Sequence, residues 1–346
     1  MPASALSKTE RFLLTIRGEQ TDRPPVWIMR QAGRYMPEYM RLRETHSFRD
    51  LCLDPEVSSA AALLPLELLD VDILIIFNDI LVPLEEMGLT VDFPDGGPRI
   101  ADPPRDEAAL DRFRAVTFQD PPVARALRRL RERTRGELPI LGFAGSPFTL
   151  LGYAVEGRLS KNCDAIRGLM LEQPALTHAM LDRITDTVVS YLVAQVADGG
   201  ATAVQVFESL GHILSPWDFE EFAAAYTRRV IERFRAACPD TPVIAFARST
   251  AACLEAMERT GADVLGIDWS MRLVDARART TRTLQGNLDP LVMIAPEAVE
   301  REFEHMIEGF DWRHGWIANL GHGITPQAKV ESARRFVRCV QRLAER

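Results

Sequence analysis

The chain has 346 residues, 47% of them hydrophobic and 26% charged, and a formal net charge of −8. That balance is ordinary for a globular protein, and its acidity argues against a nucleic-acid partner or an anionic membrane surface. An anionic substrate must therefore meet a local basic site. The cysteines at 52, 163, 238, 253 and 339 are odd in number and scattered, without a Cys-x-x-Cys pair. They read as the reduced thiols of a cytosolic protein. The apolar run 12–16 is too short for a secretory core, and the apolar region 60–77 is interrupted by Pro65, Glu67, Asp70 and Asp72. Neither reads as a membrane span, so a cytoplasmic location is expected.

In chain order, the first apolar run is Val26-Trp-Ile-Met and the second is Ile73-Leu-Ile-Ile-Phe. Residues 91–100, with an Asp-Gly-Gly turn, read as a hairpin inserted after the second run. The charged segment 102–136 reads as helix-rich decoration. Further runs follow at 140–143, 203–207, 243–246, 264–267, 282–285 and 316–319. Each has the length of a buried strand and lacks alternation, as parallel strands covered on both faces do. Helical spacing occupies 174–196, 216–237 and 325–343, with Pro174, Pro216 and Pro326 placed for first helical turns. Eight buried strands alternating with helices predict an α/β fold, a single (β/α)8 TIM barrel over 1–346 with the small hairpin and helical decorations. A doubly wound sheet is the competing architecture.

In a barrel, chemistry gathers where strands end. The predicted tips carry Arg30-Gln-Ala-Gly-Arg34-Tyr35, Asn78-Asp79, Gly142-Phe-Ala-Gly-Ser-Pro-Phe with Tyr153 beyond, Glu208-Ser209, Asp268-Trp269, Gly286-Asn287 and Gly321-His322-Gly323. Arg30 and Arg34 flank a small loop, and guanidinium forks suit paired carboxylates or phosphates. The alternative is a pair of solvated surface arginines. Asp79 follows an apolar run and is expected to be partly desolvated, unless it caps the next helix. Tyr153 serves the site or packs in the core with its hydroxyl bound to backbone. Ser209 carries little signal alone, and the flanking glycines leave His322 open to close approach. No Gly-x-Gly-x-x-Gly, P-loop, nucleophile elbow or His/Cys metal spacing occurs, so neither a metal nor a nucleotide cofactor is expected.

Two long stretches are more specific. Pro25-Val-Trp-Ile-Met-Arg-Gln-Ala-Gly-Arg-Tyr-Met-Pro-Glu-Tyr39 and Gly142-Phe-Ala-Gly-Ser-Pro-Phe-Thr-Leu-Leu-Gly-Tyr-Ala-Val-Glu-Gly157 resemble the signatures of the uroporphyrinogen decarboxylase family. Ile76-Phe-Asn-Asp-Ile-Leu81, Phe207-Glu-Ser209, Gly266-Ile-Asp-Trp269, Gln285-Gly-Asn-Leu-Asp-Pro290 and Asn319-Leu-Gly-His-Gly323 follow in the family's order. The resemblance implies a (β/α)8 barrel, a homodimer with facing clefts, and cofactor-free conversion of uroporphyrinogen III to coproporphyrinogen III. It places Arg30, Gln31, Ala32, Gly33 and Arg34 in a substrate loop and Asp79 beneath the pyrrole nitrogens. Tyr153, Ser209 and His322 complete the pocket, with Asp79 and Arg30 the catalytic pair. Arg43 is implied near the propionates, although the following loop is one residue short, and Arg248-Ser-Thr250 departs from the family's glycine-containing turn. The alternative within the same barrel family is a corrinoid- or thiol-dependent methyltransferase.

Overall fold

A computed structural model of the chain describes residues 6–94, 97–111 and 113–346. Among the described residues, nine strands run in chain order: β1 (Leu74–Ile75), β2 (Val91–Asp92), β3 (Arg99–Ile100), β4 (Ile140–Gly145), β5 (Ala203–Glu208), β6 (Val243–Ala247), β7 (Val264–Gly266), β8 (Thr283–Leu288) and β9 (Trp316–Leu320). Seven of them form one sheet in the order β1-β4-β5-β6-β7-β8-β9, every neighbouring pair parallel. All residues of β4, β5, β6, β8 and β9 are buried, which is why these runs lack alternation. The helices Pro122–Arg133, Pro174–Ala197, Ala225–Ala237, Thr250–Glu258, Leu273–Arg279, Val299–Ile307 and Val330–Gln341 follow the strands and cover the sheet.

The expected first strand, 26–29, is not a strand. It makes a single parallel bridge, Val26 to Ala318. The Ala318 amide donates to the Pro25 carbonyl (2.9 Å) and the Trp27 amide to the Ala318 carbonyl (3.3 Å), while the Asp72 amide donates to the Val26 carbonyl (2.8 Å). The segment thus touches β9 on one side and the approach to β1 on the other, bringing the two sheet edges together. Two causes keep it from a full ladder. Pro24 and Pro25 supply no amide donors. Beyond them, the amides of Ile28 and Met29 donate to side chains, Gln31 Oε1 (3.2 Å) and Asn319 Oδ1 (2.9 Å). Inside the curl, Trp27 Nε1 donates to Gln285 Oε1 (3.1 Å) and Gln285 Nε2 to Gln205 Oε1 (3.1 Å), joining this segment to β8 and β5.

The same segment is pinned from below. Arg23 grips the fully buried Asp72 with two bonds (2.6 and 2.8 Å), Arg11 adds a third (3.3 Å), and the Val26 amide a fourth (2.9 Å).

Three smaller expectations change in detail. The hairpin forms, with Val91 opposite Ile100, while its turn at 95–96 lies outside the described residues. The charged segment includes a true crossover helix, Pro122–Arg133, whose stripe of Val123, Ala126, Leu127 and Leu130 is buried. The last helix begins at Val330, not near Pro326. Pro326 instead sits in a turn closed by the Ala328 amide on the Thr325 carbonyl (3.1 Å).

Candidate active site

The loop after the first segment starts at Arg30, which holds a left-handed φ of 62°. Strain of this kind costs of order 1 kcal/mol and persists only where the surroundings impose it. Gln31 does the imposing. It is buried, with Nε2 donating to the Ile73 carbonyl (3.2 Å) and its own carbonyl receiving the Tyr35 hydroxyl (2.8 Å). Read from sequence as a substrate-lining residue, Gln31 has its side chain committed to the scaffold and positions the loop instead. Ala32 and Gly33 are half-buried along the loop, and Arg34 is exposed. Neither Arg30 nor Arg34 forms an ion pair among the described residues. The aliphatic stem of Arg30 crosses the 321–323 loop so closely that a Cβ on Gly323 would lie 2.3 Å from Arg30 Cδ. Glycine is required there to admit the arginine.

Asp79 stands just beyond β1 and remains half-buried. Its Oδ1 accepts from the Leu81 amide (2.9 Å) in a local turn, but the next helix, Val82–Glu86, has Leu81 at its N-cap and no side-chain cap, so the capping alternative is not met; among the described residues Oδ2 accepts nothing. Burial raises its carboxyl above the ordinary aspartate range and outweighs the Leu81 amide and Arg30, which pull it down. Tyr153 is likewise half-buried; burial raises its phenol, Arg30 opposes that and Asp79 adds to it. Its hydroxyl makes no hydrogen bond among the described residues, unlike a tyrosine satisfied by backbone.

His322 packs against Phe246 with ring centroids 5.9 Å apart. Burial, then Arg30 and Arg248, push its imidazole down to about 3. It therefore stays neutral at physiological pH and offers one donor and one acceptor. The unfolded chain binds a proton that the folded chain refuses, so this residue makes stability fall as pH drops from about 6.5 toward 3. The His322 ring resonances in a histidine-labelled NMR titration should show no inflexion between pH 5 and 8; a midpoint near 6.5 would remove the neutral imidazole from the site.

The structure thus gathers Arg30, Asp79, Tyr153 and His322 into one electrostatic group. Arg34 stands outside it, acting on Tyr39 instead. Ser209 enters from another side. Its amide donates to Thr149 Oγ1 (2.8 Å), and its carbonyl faces His212. Behind it, buried Glu208 receives Ser146 Oγ (2.5 Å), Thr149 Oγ1 (2.7 Å) and the Leu210 amide (2.8 Å), tying the ends of β4 and β5 together. Phe143 and Phe207 meet edge to face at 5.6 Å on the same strands, and Phe77 packs on Tyr39 at 5.6 Å, giving the mouth apolar walls. Arg43 is held locally, donating to the His46 carbonyl (3.0 Å) beside the Phe48 ring. Sequence reasoning names Asp268 at a strand tip and Arg248 in an irregular turn but gives neither a role; their charges reach His322. Among the described residues, no three His, Cys, Asp or Glu side chains converge as metal ligands would, and no helix is long and apolar enough to cross a membrane.

Comparison with known proteins covers almost the entire chain. The family model described as uroporphyrinogen decarboxylase matches residues 7–343. The uroporphyrinogen decarboxylase of Geobacter metallireducens is 41% identical over 341 residues, spanning 97% of this chain and 99% of that one. That of Myxococcus xanthus is 40% identical over 343 residues, covering 96% of each. Among solved structures, a methyltransferase from Methanosarcina mazei aligns over 97% of this chain and 98% of its own with a TM-score of 0.81. Its 18% identity shows a shared fold and nothing more. With a family match from end to end and a site group at the strand tips, the chain belongs to the uroporphyrinogen decarboxylase family.

Proposed function

We propose that this protein removes CO2 from the four acetate side chains of uroporphyrinogen III, giving coproporphyrinogen III, without a cofactor. The observation that carries this reading is the partly desolvated Asp79 beside Arg30, Tyr153 and a neutral His322. Loss of CO2 from an acetate needs an electron sink, and a pyrrole ring supplies one when a ring carbon is protonated. The carbon–carboxylate bond electrons then neutralise the ring cation and leave an exocyclic methylene. Protonation of that methylene makes the methyl group, and departure of the ring proton restores the pyrrole. One proton is consumed per CO2. Asp79, an acceptor when ionised, takes pyrrole N–H bonds and stabilises the ring cation. Arg30 and Arg34 neutralise peripheral carboxylates, and Ala32 and Gly33 let the macrocycle approach their loop. Tyr153, Ser209 and His322 contribute neutral hydrogen bonds. Anaerobic incubation with enzymatically generated uroporphyrinogen, followed by chromatography, should yield coproporphyrinogen with chelator-treated protein. Recovery only after adding a metal or organic cofactor, or no decarboxylated product, would refute the reading.

Arg30→Ala and Arg34→Ala should each weaken substrate use by about 1.5–3 kcal/mol, the worth of one charge-assisted hydrogen bond. Because neither arginine is ion-paired among the described residues, thermal unfolding should hardly change. Early melting by both variants would make them structural.

We also propose a single-domain (β/α)8 barrel, with residues 25–29 as the eighth stave, working in the cytoplasm. One continuous cluster of buried apolar residues from Phe12 to Leu343 supports the single domain. A homodimer joined at the mouth is supported by apolar side chains exposed on the short helical turns after β5 and β8, Trp217 (83%), Leu291 (59%) and Ile294 (43%), and on the loop after β7, Trp269 (41%). Sedimentation at micromolar concentration should give twice the chain mass; an active monomer would contradict it. The methyltransferase alternative needs His and Cys side chains converging on a metal, which the described residues do not provide.

A further inference from the structure

The residues assigned so far come from one part of the ring. Arg30 and Arg34 follow the segment that lies between β9 and β1. Asp79 follows β1, Tyr153 follows β4, Ser209 follows β5 and His322 follows β9. The ends of β6, β7 and β8 have been given no ligand contact. β6 is the middle strand of the seven, the one farthest along the sheet from both edges that flank the Arg30 loop. A macrocycle carrying carboxylates on every edge leaves some of them on that far side, and Arg248 stands there, directly after β6.

We infer that Arg248, with His212 beside it, forms a second carboxylate-binding subsite across the mouth from Arg30 and Arg34, one that takes a side-chain carboxylate of the substrate. The assignment rests on the tetrapyrrole reading above for the identity of the ligand, but on Arg248's own surroundings for the subsite.

Those surroundings hold the backbone still and leave the guanidinium unspent. The Arg248 amide donates to the Glu208 carbonyl (3.1 Å). A Cβ on Gly211 would lie 2.9 Å from the Arg248 carbonyl, so the 211–213 turn packs directly on it and sets His212 alongside. Ser249 then turns the chain away with a φ of 61°. Arg248 Nε is buried and has no hydrogen-bond partner among the described residues. The carboxylate that takes the amide of the following residue is already occupied. Asp268 receives the Ser249 amide (2.7 Å), the Thr250 amide (3.3 Å), the Ser270 amide (3.2 Å) and Ser270 Oγ (2.5 Å), and forms no ion pair with Arg248. A buried, unpaired donor is costly to keep and is repaid when an acceptor arrives. Arg248 lowers both His212 and His322, so its charge reaches the same space as theirs. A guanidinium here is also free of the geometric competition that binds Arg43 to its own loop.

The test separates binding from chemistry and the subsite from the substrate. Arg248→Gln should raise KM for uroporphyrinogen about tenfold, the scale of one charge-assisted hydrogen bond, with kcat within about twofold. Arg248→Lys, which keeps the charge, should recover most of that loss. In parallel, butane-1,2,3,4-tetracarboxylate added to arginine-15N-labelled protein should shift the Arg248 Nε–H resonance, and Arg248→Gln should weaken its binding by calorimetry. If the tetracarboxylate binds through Arg248 while the wild type leaves uroporphyrinogen untouched, the subsite stands and the substrate reading falls. Unchanged KM and unchanged probe binding in Arg248→Gln would overturn the subsite. So would early melting of both variants, which would make the guanidinium a structural group.

Discussion

Asp79→Asn should lower turnover about 10²–10³-fold while leaving the fold intact, the loss that follows removal of one preorganised electrostatic partner of a developing charge. Asparagine keeps an oxygen for the Leu81 amide, so the local turn survives. What it removes is the charge opposite the ring cation. Burial has already raised this carboxyl, and the sign of that shift separates two explanations. A carboxyl raised in the folded state stabilises the fold at low pH, and that contribution is lost as pH rises through its folded value. Once ionised, Asp79 is therefore a burden on stability. Asp79→Asn should melt no earlier than the wild type, and a purely structural aspartate would behave in the opposite way. The same shift places the acid limb of kcat/KM above the ordinary aspartate value of about 3.9, and this limb should disappear in the asparagine variant. Asp79→Glu keeps the charge but advances it by one methylene, so some activity should remain with weaker binding. Near-normal turnover by a folded Asp79→Asn would show that this charge does not drive the reaction.

Much of this arrangement is legible before any coordinates are consulted, because buried parallel strands have a plain signature. The runs at 140–143, 203–207, 243–246, 264–267, 282–285 and 316–319 each coincide with a strand of the sheet to within one residue. What periodicity misreads is the run at 26–29. Its apolar content is that of a buried strand, and Val26, Trp27, Ile28 and Met29 are indeed buried. Yet the Ile28 amide is spoken for by Gln31 in the loop that follows, and the Met29 amide by Asn319, which only the folded chain brings near. Hydrophobic pattern reports burial, and it does not report who receives each amide. The site divides similarly. Arg30, Asp79, Tyr153 and His322 stand at or beyond predicted strand tips, but each has a structural alternative and only the family resemblance groups them, whereas Gln31 looks equally polar in sequence and turns inward to Ile73. Arg248 was visible only as an irregular turn. Its meaning depends on an occupied neighbour, Asp268, which no spacing reveals.

Asp72→Asn is the largest stability change expected, about 3–5 kcal/mol, because breaking a buried charge network by removing one partner leaves the others uncompensated. Asp72 is fully buried and serves Arg23, Arg11 and the Val26 amide at once. Arg11 keeps Asp22 as a second partner (2.7 Å), but among the described residues Arg23 retains only the Pro24 carbonyl (3.1 Å). Urea denaturation followed by circular dichroism should show a lower midpoint at unchanged slope; a loss below about 1 kcal/mol would show that the network does not hold the fold. The damage should also reach the site. Val26 opens the segment that ends in Arg30, so loosening its amide frees the strained loop, and KM should rise in the variant even where it is fully folded. Asp72 and Asp79 lie just before and just after the same short strand, Leu74–Ile75. In the barrel proposed above, the end where strands begin serves stability and the end where they finish serves chemistry. The two substitutions should therefore separate along that strand: one lowers the unfolding midpoint and raises KM, while the other leaves the midpoint in place and removes turnover.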